Sequence, residues 1–286
     1  MLLAKELSKH GRLPQALKEV EFSLDMNPEF VEAHYVKGLI QFRTGDLEGA
    51  SKTFTIAVEL RGDYVDVWIA LCLVKTELGE YNDALSAIAE AIRCDHKNAN
   101  AYLLQGNILM AQNRLSDASL SYQAALDNNP MLTVARYKLG HVLTQLGRET
   151  EAEAQVVRAL RLNPMDASSR ILLGDLLLSR GKPEEAAKEY LAAVKLDQQP
   201  SAMAQGKLGM AWLKAGWIRE AMGAFQMAIR MDQRQCSSYV NLAQCYLLVD
   251  QPDDAIEILN LAKDLDPSNP RIDYLLQDAQ TRRSNR

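Results

Sequence analysis

The sequence predicts an all-α fold, specifically an α-solenoid in which short helix–turn–helix units stack on one another. Three observations lead to this prediction: an alanine recurs at a nearly constant interval, small and turn-forming residues keep the same phase, and the composition favours helices. Only 6% of the 286 residues are aromatic, and the helix formers Ala, Leu, Glu, Lys, Gln and Arg dominate. Stacked units bury their apolar faces against neighbouring units, so no single central core is needed.

The recurring alanines set the length of the repeat. They stand at Ala16, Ala50, Ala84, Ala118, Ala152, Ala186, Ala221 and Ala255, with steps of 34 residues and a single step of 35. A fixed period of this length indicates an array of small structural units. The longer step falls in the connection 197–201, where a turn tolerates one more residue.

Other positions keep the phase of the alanines. Twelve residues before each alanine stands a small residue, at Ala4, Gly38, Cys72, Gly106, Gly140, Gly174, Gly209 and Ala243. Five residues before it stands a turn former, at Gly11, Gly45, Gly79, Asn113, Gly147, Gly181, Gly216 and Asp250. Small residues allow the first helix of a unit to cross closely over the second, and the turn glycines can adopt positive φ between them.

With these positions the chain resembles the tetratricopeptide repeat family over nearly its whole length. The resemblance is carried by stretches such as Tyr102–Leu109, Tyr137–Leu143 and Lys207–Trp212, each followed by its turn, its alanine and a larger residue. It implies a right-handed superhelix of about eight repeats, and the sequence adds a C-terminal capping helix.

We predict one solenoid over residues 1–286. A truncated first repeat spans 1–30, full repeats span 31–64, 65–98, 99–132, 133–166, 167–201, 202–235 and 236–269, and a capping helix with a tail spans 270–286. Only Leu2–Ser8 remains of the first helix, so we expect the chain to be a piece of a longer protein or to dock this uncapped end against a partner. Self-association through that end is one form of docking.

Composition also disfavours several classes of protein. The net charge of −5 and the isoelectric point of about 5.5 disfavour a nucleic-acid binder, which needs a surplus of Lys and Arg. The cysteines Cys72, Cys94, Cys236 and Cys245 show no metal-ligand spacing, so we predict free thiols, no metal and no cofactor.

Apolar runs are much shorter than the roughly 20 residues that cross a bilayer, so we predict no transmembrane segment. No secretory signal is visible in the N-terminal sequence. The cytoplasm is the default location, and the periplasm is the alternative if a leader or an anchor precedes the given sequence.

The resemblance implies that the first helix of each repeat lines a concave surface where a partner protein binds. By phase, the predicted binding residues are Tyr35, Leu39, Phe42, Ile69, Leu73, Asn100, Leu103, Asn107, Tyr137, His141, Ile171, Asp175 and Met210. The same phase continues to Val240, Gln244 and Leu247. Because this surface is rich in apolar residues, we expect a helix or an extended peptide with apolar anchors.

We therefore predict a non-catalytic scaffold or adaptor that assembles a multiprotein complex, of the bacterial envelope, pilus or secretion type by analogy within the family. The alternatives are a substrate-recognition arm of a larger enzyme, a co-chaperone and a self-associating structural subunit. Asn107 could serve in the carboxylate clamp of the family's co-chaperones, but Leu103 replaces the expected lysine. The four histidines are dispersed and no phosphate-binding loop is present, so we predict no catalytic residues.

Overall fold

The computed structural model describes residues 10–196 and 201–285. Within these ranges the chain forms sixteen α-helices and no strand, which confirms the predicted all-α fold. None of the described helices is long and apolar enough to span a membrane. The predicted remnant of the first helix, Leu2–Ser8, and most of the lengthened connection lie outside the described residues.

Contacts divide the chain into two compact units, Met1–Leu146 and Gly147–Arg286, which we call unit 1 and unit 2. The described helices of unit 1 are α1 (Leu13–Met26), α2 (Val31–Thr44), α3 (Leu47–Leu60), α4 (Val65–Glu77), α5 (Tyr81–Cys94), α6 (Ala99–Ala111), α7 (Leu115–Asn128) and α8 (Thr133–Gln145). Those of unit 2 are α9 (Glu149–Leu162), α10 (Ala167–Ser179), α11 (Pro183–Leu196), α12 (Ala202–Lys214), α13 (Ile218–Met231), α14 (Cys236–Leu248), α15 (Pro252–Leu265) and α16 (Pro270–Ser284).

Helices that follow one another in sequence also pack on one another within each unit. In unit 1, α2 packs on α3, α4 on α5 and α6 on α7, and each pair contacts the next pair along the chain. In unit 2, α10 to α16 follow the same scheme. This nearest-neighbour packing is that of a solenoid of helical repeats. The single array over all 286 residues and the repeat boundaries stay predictions.

A very close contact joins the two helices of four repeats. A Cβ atom placed on the glycine of the first helix would lie 2.5 to 2.7 Å from a ring carbon of the second helix. The four pairs are Gly38 with Phe54, Gly106 with Tyr122, Gly174 with Tyr190, and Gly209 with Phe225. All four rings are fully buried. These contacts confirm that the small residues permit the close crossing.

The turn between the two helices takes the left-handed conformation at every predicted position. The six glycines there have φ of 71 to 83°, and Asn113 and Asp250 both have φ of 58°. The amide of Gly79 donates to the carbonyl of Thr76, and the amide of Glu80 donates to the carbonyl of Lys75. These bonds satisfy carbonyls that the end of α4 leaves free. Asn and Asp tolerate this conformation better than other residues with a side chain.

Helix α16 closes the core of the last repeat. Its residues Ile272, Leu275 and Ala279 are buried in a cluster that also contains Val240 and Leu259. The remaining surface of α16 is mostly exposed and polar. The role of this helix as a cap stays a prediction.

Two glycines of the repeat 202–235 provide a test of the close contact. In Gly209→Ala the new Cβ meets the ring of Phe225, so we expect the free energy of unfolding, measured in urea, to fall by about 1–3 kcal/mol. In Gly223→Ala, within α13, the new Cβ meets nothing within 4 Å, and we expect the free energy of unfolding to rise by about 0.5–1 kcal/mol. A gain in both variants would contradict the proposed packing.

Candidate functional site

The predicted binding residues of unit 1 lie on α2, α4, α6 and α8, and together we call them the first-helix face of unit 1. Tyr35, Leu39, Phe42 and Ile69 are half-buried because their inner sides pack against the core cluster of this unit. Leu73 is more open, with 36% of its surface exposed. The face therefore offers apolar side chains that are held in place by the core and are partly accessible from outside.

An aromatic pair at one edge of this face lies beside acidic groups. The rings of Tyr35 and Tyr64 have centroids 5.4 Å apart, and the Arg61 guanidinium lies 4.1 Å from the centroid of Tyr64. Arg61 also forms an ion pair with Glu32 at 3.1 Å. Burial and the nearby Asp66 carboxylate raise the pKa of Tyr35 and of Tyr64, so both phenols stay neutral. Among the described residues, Asp66 has no ion-pair partner.

The polar members of the face in unit 1 differ in their contacts. The Asn107 side-chain oxygen accepts a hydrogen bond of 2.9 Å from the hydroxyl of the buried Tyr122. Asn100 is exposed, and Leu103 is half-buried. The rings of Tyr137 and His141, both half-buried on α8, have centroids 6.4 Å apart. Asn107 is therefore fixed by its own repeat, whereas Asn100 remains accessible.

In unit 2 the predicted residue Asp175 belongs to a hydrogen-bonded network. Its carboxylate accepts a hydrogen bond of 2.6 Å from the hydroxyl of Tyr190. It accepts two more, of 2.6 and 2.5 Å, from the ammonium of Lys207. The sequence-based prediction missed Lys207, which lies on the first helix of the next repeat. Burial and the neighbouring Asp175 raise the pKa of Tyr190, so its hydroxyl remains a donor. The network links two consecutive repeats.

A pattern in the sequence could have revealed these bonds. Where the buried ring is a tyrosine, the residue fifteen positions earlier is an acceptor, as in Asn107 before Tyr122 and Asp175 before Tyr190. Where the ring is Phe54 or Phe225, the corresponding residue is apolar, namely Leu39 or Met210. A buried hydroxyl requires a partner, and a ring without a hydroxyl does not.

The other predicted residues of unit 2 differ in the solvent exposure of their side chains. Ile171 and Met210 are half-buried, and Met210 packs on the cluster around Phe225. The prediction that Val240 and Leu247 continue the binding surface was wrong, because these side chains are only 3% and 4% exposed. The cause is α16, which contacts α14 and contributes to the same core cluster.

The second helices carry exposed apolar residues that the sequence-based prediction missed. They are Phe22 and Met26 on α1, Ile56 and Leu60 on α3, Met227 and Met231 on α13, and Leu261 and Leu265 on α15. In every case two apolar residues stand four positions apart on one helix, so their side chains are neighbours. They stand six and ten residues after the recurring alanine of their repeat.

The cysteines are free thiols in the described part of the chain. Cys72 and Cys245 are buried, and burial raises the pKa of each thiol to about 11. A thiol with such a pKa is protonated and unreactive near neutral pH. Within residues 10–196 and 201–285, no three His, Cys, Asp or Glu side chains lie close enough to hold a metal ion.

Stacked helix–turn–helix repeats with partly exposed side chains on their first helices define a repeat scaffold for protein interactions. Sequence profiles of the tetratricopeptide repeat match residues 1–64, 74–131, 137–202, 172–236 and 237–269. The chain therefore belongs to the tetratricopeptide repeat family, whose members are generally non-catalytic interaction scaffolds. No curated protein sequence matches the chain significantly.

Solved structures of this family share the fold. YrrB, a TPR protein with an unusual peptide-binding site, is 24% identical, with a TM-score of 0.59 over 66% of this chain and 96% of that one. PilF of Pseudomonas aeruginosa is 18% identical, with a TM-score of 0.64 over 76% and 96%. The C-terminal part of a TPR protein from Cytophaga hutchinsonii is 15% identical, with a TM-score of 0.68 over 84% and 98%.

Removal of a hydroxyl should weaken the network around Asp175. In Tyr190→Phe the ring still fits, since Phe225 occupies the same position of another repeat, but Asp175 loses one donor. We expect a loss of about 1–3 kcal/mol in the free energy of unfolding, because the acceptor is charged. For Tyr122→Phe, with the neutral acceptor Asn107, we expect about 0.5–1.5 kcal/mol. Tyr274→Phe, at an exposed tyrosine, serves as the control and should leave the free energy of unfolding unchanged.

Proposed function

We propose that the first-helix face of unit 1 binds an extended or helical segment of a partner protein, and that the chain acts as a non-catalytic scaffold in the assembly of a complex. The observation that carries this proposal is the row of apolar side chains that the core holds but does not cover. Tyr35, Ile69 and Leu73 belong to this row. Apolar anchors of a partner would gain most by covering such side chains.

Charge adds a preference for a basic side chain in the partner. Asp66 follows Tyr64 by two residues at the start of α4, its carboxylate adds to the effect of burial in raising the pKa of Tyr35 and Tyr64, and no described cation pairs with it. A carboxylate beside aromatic rings is a favourable environment for the ammonium of Lys or the guanidinium of Arg. We therefore propose a partner segment that combines apolar anchors with one basic residue.

The co-chaperone alternative receives less support from the first-helix face of unit 1. A clamp for a C-terminal carboxylate needs a cation beside its amide donor, and Leu103 offers no charge where the clamp lysine is expected. The peptide-binding site of YrrB is a precedent within the family for the binding of a segment. A role in envelope, pilus or secretion assembly remains our proposal by analogy.

Selection from a random peptide library displayed on phage would test the proposed face. We expect the selected peptides to share apolar residues and a Lys or Arg, and to bind Leu73→Glu and Asp66→Arg at least about tenfold more weakly than the parent chain. Leu73 and Asp66 are exposed, so both substitutions should leave the fold unchanged, which circular dichroism would verify.

Ile56→Glu is the matched control, because Ile56 is an exposed apolar residue on the second helix α3. It should bind the selected peptides as tightly as the parent chain does. Equal binding by Leu73→Glu and the parent chain would exclude the first-helix face of unit 1 as the binding site.

A further inference from the structure

Two second helices of unit 2 carry an exposed apolar pair each. Met227 and Met231 of α13 are both 40% exposed, and Leu261 and Leu265 of α15 are 47% and 41% exposed. The two pairs occupy identical positions of consecutive repeats, six and ten residues after Ala221 and Ala255. Four such residues on one surface are more than the scattered apolar side chains that a soluble surface usually shows.

The two helices flank the same part of the core. Ile229 of α13 and Ile258 of α15 both pack against the clusters that contain residues of α14. Short turns make consecutive helices antiparallel, so α13 and α15, which are two helices apart, run in the same direction. The exposed pairs therefore form two parallel rows, and we call this surface the second-helix patch of unit 2.

Charges beside the two rows are opposite. Arg230 stands between the methionines of α13, and Asp264 stands at the same position between the leucines of α15. Among the described residues, neither of these two side chains has an ion-pair partner. At this position the two rows are thus complementary in charge.

We propose that two copies of the chain form a twofold-symmetric dimer through this patch, with α13 of each copy lying against α15 of the other. A twofold axis parallel to the helices places the methionine row against the leucine row of the second copy. It also brings Arg230 opposite Asp264, twice in the dimer. A symmetric interface of this kind requires a surface that is complementary to itself, which the opposite charges supply.

The corresponding surface of unit 1 lacks this property. The exposed pairs Phe22 with Met26 and Ile56 with Leu60 flank Asp25 and Glu59, which are both acidic. A symmetric contact through that surface would bring like charges together. The charge pattern therefore selects unit 2 as the dimerising unit.

Sedimentation equilibrium of the full chain and of two charge-reversal variants tests the proposal. We expect the parent to dimerise, and Arg230→Asp and Asp264→Arg each to weaken dimerisation at least about tenfold, because each variant places two like-charged pairs in its own dimer. An equimolar mixture of the two variants should form a heterodimer, since every facing pair in it is again of opposite charge.

Glu59→Arg is the matched control, since Glu59 holds the same repeat position on α3 and should leave dimerisation unchanged. Circular dichroism would verify that all variants are folded. A parent that stays monomeric at about 100 μM, growth beyond a dimer, or two variants that fail to associate when mixed would each overturn the proposal. Peptide binding by the first-helix face is measured separately, so failure of either idea leaves the other intact.

Discussion

The contact between a glycine on one helix and a large buried ring on the next sets the distance between the two helices of a repeat. Gly106 with Tyr122 is one example, and a single Cβ atom at the glycine would already overlap the ring. Where the first position carries Cys72 or Ala243, the second carries Ile88 or Leu259. In these two repeats the sizes compensate, because a helix that bears a larger side chain leaves less room for its neighbour. Gly140 with Val156 at the same two positions does not follow this pattern.

The buried rings also orient two polar residues of the first helices. The hydroxyls of two buried tyrosines reach Asn107 and Asp175, so a core residue fixes the orientation of a residue on the outer face. Lys207 adds a charge to the second network and neutralises Asp175. Surface residues that are held in this way lose little conformational freedom when a partner binds, which favours affinity.

We propose that the described surface serves two kinds of interaction. The first-helix face of unit 1 combines half-buried apolar residues with the unpaired carboxylate of Asp66. The second-helix patch of unit 2 combines two exposed apolar rows with Arg230 beside one row and Asp264 beside the other. A scaffold that uses different faces for a partner and for a second copy could hold two partner molecules in one assembly.

The sequence by itself determined the helical class, the period, the turn positions and the small residues that permit close crossing, because each of these depends on local residue size and backbone preference. It did not show that α16 covers Val240 and Leu247, or that Lys207 reaches Asp175 in the preceding repeat. Neither did it distinguish the exposed apolar rows of the second helices from core positions. Only the tertiary structure decided these points, because burial and pairing depend on which neighbouring helix lies over each side chain.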